Sequence, residues 1–288
     1  MIASRAFGDA GGRLPLLGFG VSGPHATGLA PRGQTVRLIH QAQEAGACLF
    51  DTGPFYGDGE AEQRLGAALE GRRDAAFVCT KAGTVRSASG LAKDFSPGFI
   101  AASLDQSLTR LRMDHVDALL LHGPAAADLN DAVLGALADL KSAGKVRFTG
   151  VCGRGAELDA AIRSGAFDLI MGPAGPVAAK PALARAHAAR ASGMGVLGIE
   201  IMSRAANALR VPRSGADLWY LARSARRRVM NVRGPQARPA RSGAGALEDL
   251  QWALAGEACD CAVTTTTRPA HLAANIAAAE RASAELSS

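Results

Sequence analysis

The feature that most constrains the fold of this chain is a regular alternation between short apolar runs and longer segments of helical periodicity. The apolar runs are rich in Val, Leu, Ile and Phe and are continuous, which is typical of strands buried on both faces of a parallel sheet. Eight runs have this character, at residues 14–20, 47–52, 75–83, 116–122, 146–152, 167–171, 195–201 and 261–266.

The segments between these runs carry helix start and stop signals. Ser96 followed by Pro97 is a favoured helix start, and glycine follows the end of most predicted helices. The predicted helices are 34–45, 60–70, 97–112, 128–142, 155–164, 179–192, 215–229, 245–255 and 269–284. Eight strand–helix repeats predict an α/β fold, a (β/α)8 TIM barrel, as one domain over residues 1–288, because such barrels need about 250 residues.

A doubly wound open sheet is the main rival fold. Its dinucleotide fingerprint is a glycine-rich turn that opens a helix after the first strand. Gly18, Gly20 and Gly23 have the required spacing, but Pro24 and Pro31 follow and no helix begins there. We therefore reject the dinucleotide fingerprint at this position.

Composition favours a water-soluble globular protein, with 48% hydrophobic and 20% charged residues. No apolar run approaches the roughly 18 residues of a membrane span, and no secretory signal precedes the first strand. We expect a cytoplasmic protein that does not bind membranes. The cysteines predict neither a disulfide framework nor a metal site, because they are odd in number and lack further ligands at metal spacing. They are Cys48, Cys79, Cys152, Cys259 and Cys261.

Ten arginines lie between Arg204 and Arg241, in a chain of formal net charge +6. Such a stretch can bind nucleic acid, hold the phosphate of a cofactor, or form a solvated surface. The segment 203–245 also separates the seventh strand from the next helix, and long loops after barrel strands usually serve the active site.

Polar, ionisable side chains stand at the ends of three successive predicted strands. Asp51 ends the second strand and Tyr56 follows it, while Lys81 and His122 end the third and fourth. Taken singly, each could be a turn, packing or core residue. Parallel barrel strands present their carboxyl ends at one mouth, so the four side chains, here called the tetrad, are expected to converge there.

Four segments of the chain resemble the aldo-keto reductase family. They are LFDTGPFYGDGEAEQRLGAAL (49–69), SLDQSLTRLRMDHVDALLLHGP (103–124), LKSAGKVRFTGVC (140–152) and TTTTRPAHLAANIAAAE (264–280). The resemblance covers almost the whole chain and implies an NADP(H)-dependent enzyme that interconverts an aldehyde or ketone and its alcohol. It also implies that the tetrad is catalytic.

In the chemistry that the resemblance implies, Tyr56 donates a proton to the carbonyl oxygen. Lys81, held by Asp51, would lower the pKa of the phenol toward neutral pH, where general acids work best. His122 would position the carbonyl or donate a second hydrogen bond to its oxygen.

The resemblance also implies a set of cofactor-binding residues. They are Gly20, Val21, Asp51, Cys152, Gly153, Met171, Ile199, Ser203, Arg204, Thr265, Thr266, Arg268, His271 and Asn275. Cys152 and Gly153 stand where the family usually has Ser-Asn, Met171 replaces a glutamine, and Ile199 replaces an aromatic residue. These four residues, here called the cofactor floor, offer few polar partners to the nicotinamide amide. Arg268 or the arginines of 204–241 could hold a 2′-phosphate, which favours NADPH over NADH.

Two other functions remain open from the sequence. A barrel that keeps the tetrad but has a weakened cofactor floor could be a cofactor-sensing or partner-binding module. The arginine stretch could bind nucleic acid, although an intact tetrad argues against it, so we expect a small-molecule carbonyl or alcohol substrate and no nucleic-acid partner. The sequence does not identify the substrate or the oligomeric state. Phe55, Trp219 and Tyr220 could form the walls of a substrate pocket or simply pack in the structure.

Overall fold

A computed structural model shows eight parallel strands closed into a barrel, which confirms the predicted fold class. It describes residues 1–9, 11–87, 90–176, 178, 180–202, 212, 214–230, 243–256 and 258–286. The strands occur in chain order around the barrel, and the last pairs with the first in parallel. They are β3 (Leu17–Gly20), β4 (Leu49–Asp51), β5 (Phe77–Ala82), β8 (Val116–His122), β9 (Val146–Cys152), β10 (Leu169–Pro173), β11 (Gly195–Ile199) and β12 (Cys261–Thr264).

The helices described around this barrel agree with the sequence prediction to within a few residues. They are α1 (Arg32–Glu44), α2 (Glu60–Leu69), α3 (Pro97–Leu111), α4 (Asp131–Ser142), α5 (Ala156–Ser164), α6 (Lys180–Ala191), α7 (Gly215–Met230), α8 (Gly243–Leu254) and α9 (Pro269–Glu285). As predicted, α3 begins at Pro97 after Ser96. None of the described helices is both long and apolar enough to cross a membrane.

Two antiparallel hairpins were not foreseen in the sequence. The first pairs β1 (Ser4–Phe7) with β2 (Gly12–Pro15), and the second pairs β6 (Thr84–Ser87) with β7 (Gly90–Lys93). The predicted first strand, 14–20, is therefore divided between β2 and β3. Its apolar character is continuous because both parts are buried.

The first hairpin packs against the amino-terminal ends of the barrel strands. Phe7 lies edge-on to Phe148, with ring centroids 5.1 Å apart, and Phe77 stacks on Phe148 at 6.0 Å. Edge-to-face and offset pairs of this kind are favourable beyond their buried area. This aromatic plug, formed by Phe7, Phe77 and Phe148, fills the end of the barrel opposite the tetrad.

The pleat of the strands explains which side chains reach the barrel mouth. Leu49, Cys79 and Leu120 belong to the apolar cluster inside the barrel. Side chains two residues apart in a strand share a face, so Asp51, Lys81 and His122 lie on that same inner face at the carboxyl ends. The strand register thus sets three of the tetrad residues around one opening.

Candidate active site

The four tetrad residues meet at the carboxyl end of the barrel. Asp51 is the last residue of β4, Lys81 lies next to the end of β5, and His122 ends β8. Tyr56 comes from the loop between β4 and α2. Three of the four side chains border one cleft, while Asp51 lies behind Lys81. The cleft is lined by Gly53, Pro54, Phe55, Tyr56, Lys81, Ala82, Thr84 and His122.

Lys81 and Asp51 form a buried ion pair. The Lys81 ammonium donates to the Asp51 carboxylate and to the Thr52 carbonyl oxygen, the latter at 2.8 Å. The side chains are only 2% and 8% exposed. Burial is the largest single effect and lowers the pKa of Lys81. The charges of Asp51, Tyr56, Cys79 and Cys152, with Asp51 the strongest, together outweigh it and raise that pKa well above its usual range. The ammonium is therefore charged throughout the neutral pH range.

Tyr56 lies beside this ion pair. The Lys81 ammonium is 5.0 Å from the centroid of the phenol ring. Burial raises the pKa of Tyr56 to about 12, although the Lys81 charge opposes this and the Asp51 charge adds to it. The expectation that Lys81 brings the phenol pKa down toward neutral is therefore wrong for this structure. The reason is that desolvation of the phenolate is a larger effect than attraction to an ammonium whose charge Asp51 already balances.

His122 faces Tyr56 across the cleft. The two rings are nearly perpendicular, at 79°, with centroids 6.5 Å apart, and the Phe55 ring is 6.1 Å from the imidazole. Burial, followed by the charges of Lys81, Lys93 and Arg154, lowers the pKa of His122 to about 3. The imidazole is therefore neutral around pH 7.

The second hairpin supplies a partner for this histidine. Thr84 Oγ1 lies 3.2 Å from His122 Nδ1, and Lys93 Nζ donates to the same hydroxyl oxygen at 2.8 Å. Lys93 also donates to the His122 carbonyl oxygen. Sequence reasoning missed Thr84 and Lys93, because their role depends on a hairpin that folds back over the mouth.

The cofactor floor is as apolar as the sequence indicated. Cys152 and Met171, at β9 and β10, are 4% and 1% exposed and belong to the apolar cluster inside the barrel, with Ile199 packed against it. A Cβ at Gly153 would lie 2.2 Å from Glu157 Oε1, so a side chain there would have to displace the Glu157 carboxylate. Burial raises the pKa of the Cys152 thiol to about 11, so the thiol is neutral.

The carboxyl ends of the first and last barrel strands, β3 and β12, lie close together at the mouth. A Cβ at Gly20 would lie 2.3 Å from Thr265 Oγ1, so a larger residue there would require the Thr265 side chain to shift. Val21 is fully buried, and its amide donates to the Asp51 carbonyl oxygen at 2.8 Å. Gly20, Val21 and Thr265 are thus brought to the same end of the barrel as the tetrad.

The predicted cofactor-binding residues at and near the start of α9 differ in how exposed their side chains are. Thr266 is buried, and Asn275, 2% exposed, donates to Thr264 Oγ1 at 3.4 Å. Arg268 is the N-cap residue of α9, without a side-chain cap, and its guanidinium donates to Asp217 at 2.7 Å. His271 is exposed on the first turn. Asn275 is therefore part of the packing between α9 and β12, whereas Arg268 and His271 are accessible.

Two of the predicted cofactor residues, Ser203 and Arg204, lie outside the described residues, as does most of the arginine stretch. Of the predicted pocket walls, Phe55 lines the cleft. Trp219, on α7, packs against Gly23, whose Cβ would lie 3.0 Å from the indole. Its neighbour Tyr220 lies edge-on to it, with ring centroids 5.3 Å apart.

Comparison with known proteins identifies the family. The model of the aldo/keto reductase family matches residues 17–170, which is more than half of the chain. An L-galactose dehydrogenase from Arabidopsis thaliana is 35% identical over 160 residues, covering 53% of this chain and 49% of that protein. A D-threo-aldose 1-dehydrogenase from Pseudomonas sp is 35% identical over 159 residues, covering 46% and 48%. The chain thus spans about half the length of the curated relatives it matches.

Solved structures share the fold over nearly the whole chain. An aldo-keto reductase from Bacillus halodurans in its holo form has a TM-score of 0.77 at 23% identity, covering 97% of this chain and 91% of that one. An aldo-keto reductase from Klebsiella pneumoniae in complex with NADPH has a TM-score of 0.67 at 20% identity, covering 97% and 90%. The family match, the closed barrel and the shared fold agree, and the chain belongs to the aldo-keto reductase family.

Proposed function

We propose that this protein is an NADP(H)-dependent oxidoreductase that interconverts an aldehyde or ketone and the corresponding alcohol. The observation that carries the proposal is the cleft in which a buried Lys81–Asp51 ion pair lies beside the Tyr56 phenol and a neutral His122. Membership of the aldo-keto reductase family supports it. The relative from Klebsiella pneumoniae, solved with NADPH, supports the choice of cofactor.

The residues at the mouth fit such a cofactor at both ends, though in different ways. At one end, Arg268 stands at the start of α9 with no acidic residue in the first turn, a charge pattern that suits a phosphate group. Asp217 engages one nitrogen of that guanidinium, which has five N–H donors in all. At the other end, the cofactor floor offers an apolar seat for a planar ring. We expect Cys152, Met171 and Ile199 to hold the ring by packing.

When bound, the reduced cofactor supplies a hydride to the carbonyl carbon. The task of Tyr56 is to donate its phenolic proton to the carbonyl oxygen. With a pKa of about 12, the phenol carries that proton throughout the neutral range. The Lys81 ammonium then stabilises the phenolate that remains, because the two charges are opposite and buried together. Asp51 keeps the ammonium in place.

His122 completes the site as a neutral hydrogen-bond donor. Lys93 already donates to Thr84 Oγ1, which leaves the Thr84 hydroxyl proton available for His122 Nδ1. In that arrangement the imidazole proton is on Nε2. Nε2 then donates to the carbonyl oxygen and shares the charge that develops there.

Replacing the proton donor tests this function. Tyr56→Phe should lower kcat for NADPH-dependent carbonyl reduction by about 10²–10⁴-fold, the usual contribution of a general acid, while leaving NADPH affinity nearly unchanged. Tyr220→Phe, at the other tyrosine of the chain, is the matched control and should keep wild-type kcat. Turnover by Tyr56→Phe equal to wild type would remove Tyr56 from the mechanism.

The apolar cofactor floor favours one second candidate, a barrel that binds the cofactor or a partner without turnover. Each hydrogen bond missing from the nicotinamide amide would weaken binding by about 0.5–1.5 kcal/mol. The two functions differ in a simple way. A sensing module binds NADPH but reduces no carbonyl compound, whereas the oxidoreductase does both.

A further inference from the structure

Two cations outside the tetrad act on His122 at the edge of the cleft, and the first is Lys93. The second hairpin carries this residue to the end of β8, where its ammonium donates to Thr84 Oγ1 at 2.8 Å and to the His122 carbonyl oxygen. Both acceptors are neutral. An ammonium has three N–H donors, so these contacts occupy two of them. Within the described part of the chain, the ion pairs formed at 4.0 Å or less do not include Lys93.

The second cation is Arg154. It follows the end of β9, the strand that pairs with β8. Its Nε and Nη2 both donate to Glu200 Oε1, at 3.1 and 2.8 Å. Glu200 follows β11 and has φ of +57°, an uncommon backbone conformation for a non-glycine residue. This contact links the segments that follow β9 and β11, while the Arg154 side chain remains 56% exposed.

The charges of both cations act on the His122 imidazole. Gly123 N donates to the Cys152 carbonyl oxygen at 2.8 Å, which joins the ends of β8 and β9 beside His122. The charges that most affect the His122 imidazole are those of Lys81, Lys93 and Arg154, and all three are positive. An anionic group next to His122 would therefore be attracted by both Lys93 and Arg154.

The carboxylates nearest these cations already have donors. Glu200 accepts from Arg154, as described above. Glu157 Oε1 accepts from the backbone amides of Arg154 and Gly155, the latter at 3.0 Å. Asp94 accepts from the Ser96 amide at 2.9 Å. None of these three contacts engages the Lys93 ammonium.

We infer that this site takes an aldehyde or ketone that also carries a carboxylate, which Lys93 binds directly while Arg154 supplies a second positive charge. The inference rests on the proposed function, because it places the carbonyl at Tyr56 and His122. The carboxylate would use the third N–H of Lys93 in a charge-assisted hydrogen bond. Lys93 is then a specificity residue and takes no part in the proton transfer.

The test compares substrates of one shape and different charge. We would measure kcat/KM for 3- and 4-formylbenzoate against the corresponding neutral formylbenzamides, with NADPH. For one of the two pairs at least, the wild-type protein should prefer the carboxylate by tenfold or more, mainly through a lower KM. The preference should shrink as salt is raised, because exposed charges are screened within about 10 Å at 0.1 M.

Variants assign the preference to Lys93. Lys93→Gln should reduce the carboxylate-to-amide ratio about tenfold, and Lys93→Arg should largely restore it. The ratio cancels any effect of the change on His122 that both substrates share. Lys145→Gln is the matched control, since Lys145 is a surface lysine paired with Asp105 at the other end of β9, and it should keep the wild-type ratio.

The outcomes separate this inference from the proposed function. Reduction of both substrate types without preference, or a ratio unchanged by Lys93→Gln, would overturn the inference and leave the oxidoreductase function standing. If no aldehyde is reduced, the proposed function fails, and calorimetric titration with 3- and 4-formylbenzoate still decides the anion site. Binding that Lys93→Gln weakens about tenfold would support that site; no binding, or equal binding by both proteins, would overturn it.

Discussion

At the residue scale, the Lys81–Asp51 pair affects both the stability of the fold and the proposed proton transfer. Two buried charges in contact are tolerated as a pair, whereas a single buried charge is not. We predict that Lys81→Met destabilises the protein by about 3–5 kcal/mol, because it leaves Asp51 without a counter-charge. Urea denaturation measures this free energy of unfolding.

The double variant separates the two roles. Lys81→Met combined with Asp51→Asn removes both charges, and it should recover much of the lost stability while remaining inactive. A double variant as unstable as the single one would mean that packing, rather than charge balance, determines the role of this pair. Recovery of activity would show that Tyr56 does not need the ammonium.

The pKa values of Tyr56 and His122 fix the expected pH profiles. Tyr56, raised to about 12 by burial, is protonated near neutral pH, so carbonyl reduction should keep its donor across that range. Alcohol oxidation needs the phenolate, so its kcat should rise by up to about tenfold per pH unit from roughly pH 7 to 9. His122, lowered to about 3, should give no inflection near its ordinary 6.5.

Steady-state kinetics in both directions test these signs. A reduction profile that turns over near pH 6.5 would show that His122 titrates normally in the working enzyme. An oxidation rate independent of pH, with the chemical step limiting, would contradict the raised pKa of Tyr56.

At the scale of secondary-structure elements, the two hairpins serve opposite ends of the barrel. The first closes the amino-terminal end through the aromatic plug, and Phe7 is only 2% exposed. We predict that Phe7→Ala lowers the free energy of unfolding by about 3–5 kcal/mol, the usual effect of emptying a buried aromatic site. Urea denaturation of the variant checks the loss.

The same variant should leave the chemistry intact. The plug lies at the end of the barrel opposite the tetrad, so folded Phe7→Ala should keep wild-type kcat. A stable variant with reduced kcat would mean that the plug influences the geometry of the mouth.

The elements also show where sequence patterns reach their limit. The eight barrel strands were predicted because burial on both faces makes each a continuous apolar run, as in 116–122. The hairpin strands have four residues each, and β6 and β7 are partly exposed, so neither produces a distinct hydrophobic period. The predicted run 14–20 joined β2 to β3 because both are apolar and buried, and hydrophobic periodicity does not detect that the chain passes from one sheet to another.

At the scale of the whole molecule, convergence of the tetrad could be predicted because it follows from topology alone. Strand ends in a parallel barrel share one mouth, which places Asp51, Lys81 and His122 together whatever the loops do. The pKa of Tyr56 could not be predicted in this way. It depends on how deeply the loop buries the phenol, and that burial outweighs the nearby ammonium.

The number of residues that fold as one unit with the barrel is also a property of the whole molecule. That residues 1–288 form one barrel domain stays a prediction. It implies that the aromatic plug, the tetrad and α9 unfold together, because the barrel closes only when β12 pairs with β3. The expected role of the arginines between 204 and 241 also stays a prediction.

The most direct test of the central claim is calorimetric titration of the folded protein with NADPH and, separately, with NADH. We predict one NADPH per chain, bound more tightly than NADH, because Arg268 at the start of α9 can contact the extra phosphate. Binding of neither nucleotide would contradict the proposed function. It would mean that the apolar floor formed by Cys152, Met171 and Ile199 does not hold a nicotinamide, whatever the geometry of the tetrad.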